Sequence, residues 1–280
     1  MSDKFKSYLP KNTKFKTITY KKEDYKATIT INREKKLNCL NLETINELTL
    51  AFKDSSWDDN IAVIVLTGTG KRAFSTGADL DEQEKYFLKN SDDYYKWMYE
   101  FIQLHEVMRN VGKPTIARLN GMVVGGGNEL NMSCDLAIAA DHIIIKQVGA
   151  ARGSVAAAGA TQFLPLIVGD RRAREILFLC EDIPVMKALD WGLVNQVVPY
   201  DQLDEAVDIL AEKLYNKLPE CLRYTKQQLN FWRDLSWHTT IGSARDWLSI
   251  HNLSPEVSEG ISAFNEKRKV NYKKIRKAKK

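Results

Sequence analysis

The chain has 280 residues, 44% apolar and 28% charged, enough for one large domain or two small ones around a substantial core. No run approaches the roughly 18 apolar residues of a membrane span, and the N-terminus lacks a secretion-signal core, so a cytoplasmic protein is expected. The net charge of +5 is misleading: nine Lys and Arg and no acid lie between Lys267 and Lys280, and without them the balance is −4.

Residues 1–16 are polar and Lys-rich and are expected to form a loose arm. From Lys26 to Asn32 the pattern alternates, with Ala27, Ile29 and Ile31 on one face of a strand. Asn41 is placed to cap a helix carrying Leu42, Ile45, Leu48 and Phe52 at helical spacing. Ile61 to Leu66 is a continuous β-branched run, as in a strand buried on both faces. Asp81 to Met108 predicts one long helix rich in aromatics, with Phe87, Tyr94, Tyr95, Trp97, Tyr99 and Phe101. Those aromatics suit a core or the wall of a pocket. Thr115 to Leu119, Leu136 to Ala139 and Ile143 to Ile145 are further strands, and helical patterns dominate from Arg171 onward. Strands alternating with helices place the chain in the α/β class.

Two glycine turns stand out. The segment from Asn120 to Glu129 carries Gly125, Gly126 and Gly127 between a strand-like stretch and a helix start, and Ala73 to Leu80 repeats the strand–Gly–helix pattern. Glycine permits positive φ and close approach to backbone N–H groups, and a helix N-terminus adds unpaired donors. Two such turns can hold one oxyanion between two N–H groups; tight turns packed against a neighbouring backbone are the alternative. The cysteines (Cys39, Cys134, Cys180, Cys221) have no metal-like spacing and suit reduced, mostly buried thiols. The histidines (His105, His142, His238, His251) are too scattered to suggest a metal site.

From about Ile29 to Arg268 the chain resembles the crotonase (enoyl-CoA hydratase/isomerase) superfamily. The resemblance rests on Ile31 to Asn38, Ala62 to Gly68, Phe74 to Asp79, Lys113 to Ala117, the glycine triplet, Cys134-Asp135 and Ala188 to Val194, in that order and at those spacings. It implies a crotonase (ClpP-like) ββα spiral with perpendicular sheets and a C-terminal helical trimerisation region beginning near Ala160. The division expected is a flexible arm (1–16), a spiral core (17–200), a helical lobe (201–270) and a basic tail (271–280). The substrate implied is an acyl-CoA thioester, with coenzyme A as part of the substrate and no other cofactor. A homotrimer or hexamer is implied, with no membrane or nucleic-acid partner. The tail is expected to be a solvated end, some of whose cations could meet CoA phosphates.

Carried over position by position, the oxyanion donors fall on the backbone N–H groups of Ala78 and Gly126, flanked by Thr76, Gly77 and Gly125. The first catalytic glutamate of the hydratases matches Glu129, with a helix N-terminal structural carboxylate as its alternative. The second falls at Gly149, where there is no carboxylate. Gln147-Val-Gly149 and Gly153-Ser154 resemble the dihydroxynaphthoyl-CoA synthase and ketocyclohexane-carboxyl-CoA hydrolase branch, but the Asp of that chemistry is replaced by Ala156. A tyrosine those enzymes carry near the C-terminus falls at about Asn252, beside His251. The 6-oxocyclohex-1-ene-1-carbonyl-CoA hydrolases are similar in both departures and in Arg152 to Pro165, Leu218 to Leu222, Ser243 to Leu248 and Gly260 to Glu266. They differ in an insertion after the match to Val194–Pro199 and in a first oxyanion loop reading Ala-Gly-Gly-Asn, where this chain has Thr76 to Asp79. The implied reaction hydrates a cyclic unsaturated acyl-CoA and then opens the ring hydrolytically, with Glu129 as acid/base. Arg152 and Ser154 are placed to contact a ring ketone, Lys35 and Lys36 lie on the CoA-contacting edge, and Asp79 is expected to cap the following helix. A one-glutamate hydratase for linear or dienoyl substrates, a synthase-like enzyme, and a non-catalytic acyl-CoA- or RNA-binding protein are the alternatives.

Overall fold

The alternating segment at the start of the chain builds a strand paired on both sides, and a continuous apolar run builds its neighbour toward the sheet centre. Ala27, Ile29 and Ile31 are fully buried, and every residue of the stretch Val63–Gly68 is buried. The computed structural model describes residues 8–10, 12–87 and 90–278. In chain order the strands and helices begin β1 (Ile18–Glu23), β2 (Lys26–Ile31), α1 (Leu42–Trp57), β3 (Val63–Gly68), β4 (Ala73–Ser75), α2 (Leu80–Glu82) and α3 (Ser91–Asn110). They continue with β5 (Thr115–Leu119), β6 (Met122–Val124), α4 (Gly126–Ser133), β7 (Leu136–Ala140), β8 (Ile144–Lys146), α5 (Gly149–Arg152), α6 (Ala160–Val168) and α7 (Asp170–Leu179). Then come β9 (Ile183–Pro184), α8 (Val185–Asp190), β10 (Gln196–Val198), α9 (Leu203–Tyr215), α10 (Pro219–Arg233), α11 (Leu235–His251), α12 (Pro255–Asn265) and α13 (Tyr272–Ala278).

Two sheets form. The six-stranded sheet runs β1-β2-β3-β5-β7-β10, antiparallel only at β1–β2, and the four-stranded sheet runs β4-β6-β8-β9. Successive strands alternate between the sheets: β3 then β4, β5 then β6, β7 then β8, each pair followed by a helix. This is a repeated ββα winding of the kind the sequence implies. Each second strand ends in a turn, so the turns after β4, β6 and β8 gather at one edge of the smaller sheet.

The long helix expected over Asp81–Met108 is divided. Leu80–Glu82 passes into a π-helical turn over Gln83–Phe87, and α3 starts afresh at Ser91. The cause is local: the Asn90 side chain accepts from the N–H groups of Asp92 and Asp93 at 3.1 and 3.3 Å, an N-cap that competes with helix continuation. Strand β1, for which the sequence reading named no element, pairs with β2 through Ile18↔Ile31 to Glu23↔Lys26.

Helix α3 joins the spiral to the C-terminal helices. Phe87, Trp97, Phe101, His105 and Trp237 form a chain of ring contacts at 4.5–6.4 Å. Arg109 lies over the Trp237 ring at 4.0 Å, and its Nε–H donates to Asp234 at 3.1 Å. Burial keeps His105 neutral, its pKa lowered to about 3, with Nδ1–H donating to the Phe101 carbonyl at 2.7 Å. Of the expected arm, residues 1–7 and 11 lie outside the described residues; the N–H groups of Tyr8 and Leu9 donate to Asp54 on α1. Lys279 and Lys280 of the tail also lie outside them.

Candidate active site

The turns after β4 and β6 meet. Gly77 has φ +80°, and a Cβ there would lie 2.8 Å from the Gly126 nitrogen. A Cβ on Gly126 would lie 3.0 Å from the Phe101 ring and 3.3 Å from the Gly77 Cα. Gly77 therefore requires glycine for both conformation and contact, and Gly126 stands in tight contact with its neighbours. The bridge between Leu40 and Ala78 uses the neighbouring groups: Leu40 N–H donates to Gly77 O at 2.7 Å and Asp79 N–H to Leu40 O at 2.9 Å. That pairing leaves the Ala78 N–H directed away from Leu40. Gly126 opens α4, where no earlier helical carbonyl exists to accept its N–H. Among the described residues neither N–H has a partner, and both residues line one cavity of about 540 Å³.

Glu129 stands in the first turn of α4, 4% exposed. Burial raises its carboxyl from 4.5 to about 7, against the opposing pull of the Ala158, Ala160 and Ala157 amides. Those amides favour the charged form without completing a hydrogen bond to Oε1, which has no partner among the described residues. The other carboxylates on the cavity wall are engaged. Asp79 takes the Asp81 and Glu82 N–H groups at 3.1 and 3.2 Å and the Arg33 guanidinium at 2.7 Å, so it is the helix cap the sequence suggested. Asp81 pairs with Lys36.

Every candidate residue lines this cavity: Glu129, Ala78, Gly126, Lys35, Lys36, Thr76, Gly77, Gly125, Gly149, Arg152 and Ser154. Their surroundings differ. Lys35 and Lys36 are exposed, and Thr76 Oγ1–H donates to Leu37 O at 3.3 Å. Gly149 is closed to any side chain, because a Cβ there would stand 2.9 Å from Ser154 O and 3.1 Å from Ala156 N. The Arg152 guanidinium lies 4.8 Å over the Phe264 ring. His251 bonds to Gly153 O through Nε2 at 3.2 Å, and buried Asn252 donates to Phe87 O at 2.6 Å, so both brace the walls.

Gln147 and Tyr94 carry no sequence signal of an individual role. Gln147 is buried, and its Nε2–H reaches Gly125 O at 3.5 Å, supporting the glycine turn. Tyr94 lines the cavity beside Trp97, Met98 and Phe101. Helical spacing placed Tyr94, Trp97 and Phe101 on one face, but only the packing makes that face both core and cavity wall.

The sequence profile of the enoyl-CoA hydratase/isomerase family matches residues 22–276. Among solved structures, an enoyl-CoA hydratase from Mycobacterium avium subsp. paratuberculosis K-10 is similar at 25% identity and a TM-score of 0.84, over 92% of this chain and 99% of that one. An enoyl-CoA hydratase from Bacillus anthracis shares 30% identity with a TM-score of 0.75, over 92% of this chain and 99% of that one. A monofunctional enoyl-CoA isomerase from M. smegmatis shares 26% identity with a TM-score of 0.67, over 80% of this chain and 98% of that one.

Proposed function

The chain belongs to the enoyl-CoA hydratase/isomerase family, and from that premise we propose that it hydrates a cyclic unsaturated acyl-CoA and then opens the ring, as a 6-oxocyclohex-1-ene-1-carbonyl-CoA hydrolase does. The observation that carries the reading is the combination at the cavity wall. Glu129 is the one lining carboxylate outside an ion pair among the described residues, and Gly149 has no room for a second.

The thioester oxygen accepts from the Ala78 and Gly126 N–H groups. Ionised Glu129 takes a proton from water as the hydroxyl adds to the β-carbon, and the electron pair collects on the thioester oxygen as an enolate. Glu129 then returns the proton to the α-carbon. In the second step Glu129 deprotonates another water as it attacks the ring ketone carbon. The bond between that carbon and the α-carbon breaks, its electron pair again forms the thioester enolate, and the α-carbon takes the proton from Glu129. Two waters are consumed and the ketone becomes a carboxylic acid. One oxyanion hole serves both steps because charge develops on the same oxygen. A carboxyl near pH 7 suits a group that must both take and give a proton. Lys35 and Lys36 at the rim are assigned to the CoA phosphates, and the enzyme is assigned to the cytoplasm as a homotrimer or hexamer.

A second reading, hydration alone of a linear or dienoyl thioester, is favoured by the names of the M. avium and B. anthracis proteins. The test incubates pure protein with linear, dienoyl and 6-oxocyclohexenyl CoA thioesters and reads the products by mass. A gain of two waters on the cyclic substrate is expected. One water gained on a linear enoyl-CoA, with the cyclic substrate untouched, selects the second reading.

A further inference from the structure

The Ala78 N–H is aimed by contacts between two segments of the chain, 33–40 and 73–79. Asn38 Nδ2–H donates to Ala73 O at 2.8 Å, and Thr76 Oγ1–H donates to Leu37 O at 3.3 Å. The Leu40 bridge, with Gly77 O on one side and Asp79 N–H on the other, turns the intervening Ala78 N–H away from Leu40.

One side chain clasps that bridge. Arg33 follows β2 with its backbone fixed: its N–H donates to Asn38 Oδ1 at 3.0 Å, and its carbonyl accepts from Asn38 N–H at 3.0 Å. The guanidinium reaches across as a fork. Nη1–H donates to Cys39 O at 2.6 Å, and Nη2–H donates to the Asp79 carboxylate at 2.7 Å. It thus holds the residue before Leu40 and the residue after Ala78 at once.

Asp79 also bears on the chemistry. It is 6% exposed and lines the cavity, one residue beyond the oxyanion donor. Burial pushes its carboxyl up, but the Arg33 guanidinium and the Glu82 N–H outweigh burial and hold it below its usual value, so it is ionised. An unpaired negative charge there opposes an enolate forming against Ala78 N–H, with little solvent to screen it.

We propose that Arg33 is a positioning residue of the oxyanion hole, which holds the Ala78 N–H in line and cancels the Asp79 charge beside the developing enolate. This rests on the acyl-CoA reading above and adds the residue that sets the strength of the hole. A lysine cannot replace it fully, because a single ammonium lacks the fork that joins Cys39 O to Asp79.

The test uses the full chain and cyclohexanecarbonyl-CoA with an isotope-labelled thioester carbonyl. This ligand is saturated, so it can be neither hydrated nor opened. Difference infrared spectroscopy reads the fall in its carbonyl stretch on binding, which measures polarisation by the two N–H donors. Arg33→Met is expected to lose about half of that fall, with the dissociation constant changed by less than about threefold. On the thioester that the substrate panel identifies, its kcat is expected to drop about 10²-fold with KM nearly unchanged. Adding Asp79→Asn keeps a helix cap and removes the unpaired carboxylate, so it should restore kcat about tenfold. Arg33→Lys is expected to lie between Arg33→Met and the unmodified protein.

An equal fall in Arg33→Met and the unmodified protein overturns the proposal, whatever happens to the melting temperature. A double variant no better than Arg33→Met also overturns it, because the Asp79 charge would then be without effect. Should Arg33→Met not fold, the double variant, with no unpaired charge, carries the infrared comparison alone. A fall smaller than that of the unmodified protein then supports the proposal, and an equal one overturns it. If the cyclic substrate is not opened yet the infrared change follows Arg33, the ring-cleavage reading fails and the positioning role stands.

Discussion

At the residue scale, the chemistry converges on Glu129. Glu129→Gln is expected to bind acyl-CoA nearly as well as the unmodified protein and to lose turnover by roughly 10²–10⁴, the usual contribution of a general acid–base group; retention of more than about a tenth of turnover at saturating substrate would remove Glu129 from the mechanism. Because the carboxyl titrates near 7 and must be ionised to take the first proton, kcat/KM is expected to fall about tenfold per pH unit below that value. An acid limb centred near 4.5 would contradict it. Stability follows the opposite course. A folded-state value raised from 4.5 to about 7 means the folded chain holds a proton that the unfolded chain has released, so the contribution of this group to stability is greatest below 4.5 and declines up to about 7. At about 1.4 kcal/mol per pH unit the loss is of the order of 3 kcal/mol. Denaturant unfolding should therefore find Glu129→Gln more stable than the unmodified protein at pH 8 and little different at pH 4. Gly149 gives a separate test of the missing second carboxylate. Because a Cβ there meets Ser154 O at 2.9 Å, Gly149→Glu is expected to destabilise by about 1–3 kcal/mol and to confer no added hydration of linear enoyl-CoA. A gain of that activity at unchanged stability would show that the loop accommodates the side chain.

At the element scale, the turns after β4 and β6 place two free N–H groups side by side, and α3 supplies the facing wall. The basic C-terminal end is attached before α13 begins. The Asn271 N–H donates to Glu259 at 2.8 Å, and Arg268 pairs with Glu259 at 2.6 Å. Deleting Lys273 to Lys280 leaves both contacts in place, so folding and turnover are expected to be unchanged. Affinity for CoA thioesters should fall only slightly, since exposed ion pairs contribute about 0–1 kcal/mol each. Filter-binding titrations at two salt concentrations should show weak RNA binding that disappears at physiological salt. RNA binding that survives there and is abolished by the deletion would favour the nucleic-acid alternative.

At the scale of the whole molecule, the C-terminal helices expose more apolar surface than an isolated chain ordinarily tolerates. Leu218, Leu229, Phe231, Trp232 and Ile250 are 65–75% exposed. Burial against further copies is the expected remedy, in a trimer or a dimer of trimers. Light scattering at micromolar concentration is expected to give three or six times the chain mass. A stable monomer would refute this.

Local rules were enough to read much of the fold. Asn41 capped its helix, the alternation at Ala27, Ile29 and Ile31 marked a buried strand face, and the glycine turns marked where backbone N–H groups become available. These follow from hydrogen-bonding capacity, side-chain period and φ preference, which act over a few residues. The Asn90 cap that starts α3 is equally local, but an aromatic periodicity running from Phe87 to Phe101 spans it. Other features depended on distant segments meeting. The raised carboxyl of Glu129 comes from the packing of 157–160 over α4, and the exclusion of a side chain at Gly149 from the Ser154 loop folding back. The sequence by itself determined which residue types stood at each turn. Tertiary structure decided which of them were desolvated, because burial and proximity depend on contacts between residues far apart in the chain.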